Sequence, residues 1–390
     1  MNKIWRLGFL LCAFLSCKPG QDKVDSITEN GVSVVLNHLK PYSPRGELST
    51  LMLQKILSID TENDSTAAKG VIDIYSFDVD STGSIYVIVP PKGTGNLIFK
   101  LSPEGELLSS FGRMGQGPNE MEYPQSLQIT PKDEVWVIES PKNKFHVFNT
   151  DGIPVTEKSL STGFESIVPL KNGAFLIGRL LTKDMSSKYF PFVISLFDST
   201  FQSIKELDRF EYVPNKNIAE SLPEKIVNGI DYVFLAQVGR DRIFIGNSGR
   251  GYEILVNDLE GELIRKIRKD YSPVPVSEDY KKKYLKMYEE FMPDYAEKIY
   301  FPEHWHPYRS FFCDDEGRLF VMTYEPGENP GESMFDIFNK EGIFISRKSL
   351  NILCRELGMI LARVQGDHLY CVQEKDSGFK ELIVYKMIWK

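Results

Sequence analysis

Cysteine and histidine are both scarce in this chain of 390 residues, five of each, and no two cysteines stand three apart. That removes the Cys-x-x-Cys pairs of structural zinc sites and thiol oxidoreductases. Equally absent are the Gly-x-Ser-x-Gly elbow and the His-Glu-x-x-His helix of two large hydrolase classes. No block of lysine and arginine runs through the chain and the formal net charge is −8, so nucleic acid has no electrostatic footprint here. No apolar stretch is long enough to cross a bilayer as a helix. Neither a cofactor nor a metal ion is expected. Aromatic residues are plentiful at 12%, beside 26% charged residues, which is the composition of an ordered globular chain. The length suits one large all-β domain or two medium ones.

The N-terminus reads as an address. Lys3 and Arg6 precede the apolar run Leu7–Leu15, and polar Lys18-Pro19-Gly20-Gln21-Asp22 follows it. A positive end, a short apolar middle and a small residue at the cut make a signal segment. Phe14-Leu15-Ser16-Cys17 resembles a bacterial lipobox, with Phe14 where leucine is usual. The resemblance implies cleavage before Cys17 and acylation of its thiol and new amino group. Several acyl chains hold a soluble domain stably at a membrane face. The expected layout is a signal peptide over 1–16, a lipidated tether over 17–31 and one domain over 32–390. The expected address is the cell envelope, on a periplasmic or outer-membrane face. With Cys12 and Cys17 set aside, Cys313, Cys354 and Cys371 remain. Three thiols make no disulfide framework, although a Cys354–Cys371 pair stays open in an export compartment.

The stretch Phe111-Gly112-Arg113-Met114-Gly115-Gln116-Gly117-Pro118-Asn119-Glu120 joins one β unit to the next. So many glycines beside a proline exclude a helix or central strand. Its N–H groups could form an anion nest, but phosphate loops feed a helix, and Ser126–Ile129 reads as a strand. Around this joint a pattern repeats. A turn precedes a short apolar run in Asp80-Ser81-Thr82-Gly83 with Ile85–Ile88, and in Pro131-Lys132-Asp133 with Val135–Ile138. The same order returns at Ala174–Ile177, Ile243–Ile245, Leu319–Met322 and Leu369–Val372. A further strand pattern follows each run, and most then meet a second turn. Six such units of four antiparallel strands predict a six-bladed β-propeller.

The sixth unit ends without an outer strand, since little chain follows Tyr385. An unpaired edge is a liability, and Leu51–Ile59 is the strand expected to close the last blade. Ser277-Glu278-Asp279 reads as a helix start, with Tyr284, Met287, Tyr288 and Phe291 at helical spacing and Pro293 as the stop. This predicts a helical insertion between the fourth and fifth blades. Glu211–Lys225 reads as a second, irregular insert.

The chain resembles the six-bladed β-propeller lipoproteins of Bacteroides-type bacteria, relatives of NHL-type propellers. The glycine joint carries the resemblance, together with Asn257–Ile267 and Phe311–Val321. Asn119 stands where many members have glycine. The resemblance implies a fold and an envelope address, and fold alone does not fix an activity.

Segments entering each innermost strand are expected to line the channel mouth. The candidates for ligand binding there are Asn119, Glu120, Tyr123, Glu165, His304, Trp305, His306 and Arg309, with Phe164, Asp231, Tyr232, Glu303 and Tyr308 nearby. Tryptophan, tyrosine and arginine are the types that stack on sugars or anchor peptides. Glu303, His304 and His306 lack a further ligand for a metal, and Asp78–Gly83 lacks the distal glutamate of a calcium loop. The function these residues suggest is a monomeric binding or scaffold module for a glycan, peptide or protein partner. The alternative is a polymer-acting hydrolase or lyase, with Glu120 and Glu165 as its carboxylates.

Overall fold

A computed structural model describes residues 24–90, 95–161, 163–182, 184, 186–214, 221, 223–230, 232–355 and 358–390. The signal peptide, Cys17 and Asp231 lie outside the described residues. The chain forms six β sheets of at least four strands, arranged in sequence order. Blade 1 holds Ser76–Val79, Ile85–Ile88, Asn96–Leu101 and Leu107–Met114. Blade 2 spans Ser126–Ser159, blade 3 Ser166–Pro214, blade 4 Phe234–Lys269, blade 5 Ser310–Leu350 and blade 6 Ala362–Trp389.

The apolar runs explain why the sheets pack as a ring. In blade 2, Val135 and Val137 point into the seam with blade 1, while Trp136 and Ile138 point into the seam with blade 3. Alternate residues of a strand face opposite sides, so a strand apolar on both sides must be covered twice. Each seam holds its own core cluster, including one between blades 6 and 1 where Tyr370 and Val372 meet Ile85 and Val87. That last seam closes the circle.

Closure uses the strand expected from the sequence. Leu51–Asp60 pairs antiparallel with Lys380–Trp389, opposing Lys55 to Tyr385 across a bulge. Two blades exceed four strands. Glu120–Met121 adds to blade 1, parallel to its outer strand. Asp25–Glu29 and Val32–Asn37 form a hairpin on blade 4, with Val32–Asn37 parallel to Leu263–Lys269. The tether expected to run to residue 31 is therefore replaced by a strand from Asp25, because Val34 and Val35 bury on blade 4 and carry their hairpin partner with them. Asn37 then staples blade 4 to blade 5, accepting Phe344 N–H at 2.8 Å and donating to Gly342 O at 2.9 Å.

The helical insertion is present as Glu278–Phe291, capped by Ser277 Oγ. Its packed stripe is Tyr284, Leu285 and Tyr288, set against Ile226, Val227, Tyr295 and Ile299, while Met287 is exposed. The expected irregular insert starts later than Glu211, since the outer strand of blade 3 runs to Pro214 against Tyr189–Phe197. Cys313, Cys354 and Cys371 are all free thiols, so the Cys354–Cys371 pair does not form. Among the described residues no helix is long and apolar enough to cross a membrane.

Candidate functional site

The chain crosses between blades on one face, here the upper face; the turns joining first to second and third to fourth strands form the lower face. The helix Glu278–Phe291 lies in the upper crossing from blade 4 to blade 5. It carries Tyr280 over the segment that enters blade 5. Trp305 sits in that segment, half-buried between Tyr324, stacked at 4.5 Å and 14°, and Tyr280, edge-on at 4.6 Å. The backbone holds it there, with Trp305 N–H donating to Val274 O at 2.8 Å and Pro275 bridging His304. Tyr280 is fixed in turn by its hydroxyl on Gly229 O.

The neighbours of Trp305 divide into three environments. His306 turns inward, its ring 4.4 Å from Tyr232 of the segment entering blade 4. Its Nε2 is enclosed without a hydrogen-bond partner among the described residues. Burial pushes this imidazole down to about 4, so it is neutral near pH 7. Arg309 donates Nη2 to Cys354 O at 2.8 Å, tying the segment entering blade 5 to the one entering blade 6. His304 stays partly exposed, 4.0 Å from Glu303. The two histidines thus face different surroundings. Tyr308 is fully buried in the seam of blades 4 and 5, and Phe164 in that of blades 2 and 3, so both serve the core.

The other candidates gather elsewhere. Asn119 and Glu120 lie on the outer rim of blade 1, because the glycine joint folds back as a fifth strand beyond the outermost one. They do not line the channel mouth. Glu120 Oε2 accepts Gly117 N–H at 2.9 Å, so the loop's donor is taken by the chain's own carboxylate. A cleft of about 270 Å³ opens beside it, lined by Gly115, Gln116, Glu120, Glu122, Glu139, Lys142 and Lys144. Behind the cleft, Glu139 holds the linker to blade 2 through the N–H groups of Glu122 and Tyr123, at 2.8 and 2.7 Å. Its other oxygen meets buried His146 Nε2 at 2.8 Å. Tyr123 itself is exposed, under the ammonium of Lys142 at 5.8 Å. Glu165 is exposed where the chain enters blade 3, two blades from Glu120. The sequence reading missed Tyr280, Tyr324, Glu139 and His146. Tyr280 was within reach, being an aromatic residue in the first turn of the helix; Glu139 and His146 meet across one hairpin, and Tyr324 stands on the second strand of the blade that the Trp305 segment enters, contacts that rest on side-chain direction rather than spacing.

The architecture defines the class, a closed six-bladed β-propeller. No protein-family model matches the chain. A Bacteroides fragilis protein named as exported has the same fold, with a TM-score of 0.54 at 14% identity, over 92% of this chain and 99% of that one. A member of the DUF4221 family from Bacteroides vulgatus aligns over 88% of this chain and 99% of its own, with a TM-score of 0.49 at 13% identity. In sequence, 73 residues are 32% identical to the human NHL repeat-containing protein 3. That match covers 19% of this chain and 21% of the relative's length.

Proposed function

We propose that this propeller is a non-enzymatic binding module of the cell envelope, anchored by lipid at Cys17 and acting as a monomer. Its ligand is a glycan, held on the aromatic surface around Trp305. The observation that carries this reading is the half-buried Trp305 ring between Tyr280 and Tyr324, on the face where the chain enters the innermost strands. Flat aromatic surfaces fixed by their neighbours bind the apolar faces of sugar rings with little loss of side-chain freedom. His304, partly exposed in the same segment, supplies a polar contact, while Arg309 is held by Cys354 O.

The name of the Bacteroides fragilis relative in fold supports an exported address, which suits the signal-like N-terminus. The alternative of a hydrolase or lyase built on Glu120 and Glu165 gains nothing from their separation by two blades. A glycan array with the acyl-free domain tests the proposal. Trp305→Ala should abolish the binding seen with the native chain while far-UV and thermal profiles stay native. A hit that Trp305→Ala leaves intact removes this surface as the site.

A further inference from the structure

The N-terminal hairpin fixes where the anchor leaves the propeller. Leu263–Lys269, the outer strand of blade 4, runs from the lower face to the upper, because the crossing with Trp305 begins at its end. Val32–Asn37 runs parallel to it, so Asp25–Glu29 runs downward. Asp25 therefore lies at the upper rim of blade 4. His38 confirms the position, with Nε2 3.5 Å from Asp25 and Nδ1 3.1 Å from Asp270, the residue that follows the outer strand. The hairpin is well fastened. Glu29 takes both Arg268 Nη1 and Nη2, at 2.5 and 2.8 Å, and Lys266 Nζ at 3.1 Å.

Residues 18–24 alone separate Cys17 from Asp25. Eight Cα steps span at most about 29 Å even when fully extended. We infer that the propeller is held with the upper rim of blade 4 nearest its own membrane, at most about 29 Å from the headgroup surface, so that the Trp305 surface beside it keeps room for a ligand. Blade 1, three blades round the ring, with its Glu120 cleft, then points away from that surface. The inference rests on the lipid at Cys17 proposed above. Charge does not impose this orientation: the outward side of the helix mixes Lys282, Lys283 and Lys286 with Asp279, Glu289 and Glu290. The orientation is thus a matter of tether length and exit point, and salt should leave it unchanged.

The full chain, expressed with its lipid and reconstituted in vesicles carrying energy-acceptor headgroups, tests this. Single labels go on Tyr271→Cys at the upper rim of blade 4, Glu260→Cys at the lower turn of the same blade, and Glu104→Cys at the lower turn of blade 1. Loss of donor fluorescence should be greatest at position 271 and least at position 104, at low and high salt alike. Equal loss at the three positions, or the reverse order, overturns the inference. The mass of the N-terminal peptide separates the two readings. An unacylated Cys17 defeats the anchor and this inference together, whereas an acylated chain with the wrong order defeats only the orientation.

Discussion

A methyl group added at Gly115 would overlap the carboxylate of Glu120, and one at Gly117 would come within 3.0 Å of it. Glycine is required here because an acidic side chain folds back over the loop and occupies the space a Cβ would take. Gly115→Ala should cost roughly 1–3 kcal/mol in a urea titration, the range for forcing an extra carbon into a filled site. Much of that loss should vanish in a Glu120→Ala background; a cost unchanged there would show that φ alone, 155° at Gly115, explains the glycine. Side-chain oxygens at the lower turns follow a second residue-scale rule. Asp80, Asn149, Asp198, Asp314 and Asn339 each accept the N–H groups two and four residues on. Such oxygens close a turn locally, so these residue types are visible in the sequence as turn signals. His306 behaves differently. Its ring accepts a proton only near pH 4, against 6.5 when unfolded. As pH falls through 6.5 the unfolded chain gains a proton that the folded ring refuses, so stability drops between 6.5 and 4. His306→Gln should flatten that part of a melting-temperature profile, and an NMR titration of the ring should place its midpoint near 4.

Among the elements, the N-terminal segment has the largest consequences. Its first hairpin extends blade 4, Asn37 reaches blade 5, and Leu51–Asp60 completes blade 6. Ile59 is 5% exposed, inside the seam of blades 6 and 1. Ile59→Ala should cost about 2–5 kcal/mol in a urea titration, as for other buried aliphatic truncations. A negligible loss would mean the closing strand is dispensable. The hairpin carries a pH signature of its own. Bonds from Arg268 and Lys266 hold the Glu29 carboxyl at about 2, below its ordinary 4.5. That stabilisation is complete above 4.5 and disappears as pH falls toward 2. Hydrogen exchange over Asp25–Asn37 should therefore be faster in Glu29→Gln than in the native chain at neutral pH, with the difference closing across that interval.

At the scale of the whole molecule, the ring is held by its seams, and a polar network is set into the apolar packing between blades 4 and 5. Asp336, 1% exposed, accepts Arg347 Nε at 2.7 Å and Tyr252 hydroxyl at 2.8 Å, with Lys269 Nζ 3.3 Å away. Arg347 and Asp336 belong to blade 5 and the other two to blade 4, so the network locks two blades in register. Asp336→Ala removes the carboxylate from the buried Lys269 ammonium, whose pKa burial already lowers and which keeps only Asp270 O at 2.9 Å as a hydrogen-bond acceptor among the described residues, and should cost about 3–5 kcal/mol. A seam repacked without that loss would show the network to be expendable. The polar network was invisible in the sequence, because its members are far apart along the chain.

The sequence by itself determined the fold and the way it closes. Runs such as Ile85–Ile88, apolar on both faces, need covering on two sides, and the sixth unit lacked a strand that the N-terminal portion had to spare. Local turn chemistry and period-2 patterning carry that information within a few residues. Which candidate side chains meet was decided only by the tertiary structure. Trp305 met Tyr280 and Tyr324 because an inserted helix and a blade 5 strand come together above it. Glu120 went to the outer rim because a loop folded back into parallel pairing, a register that no spacing rule encodes.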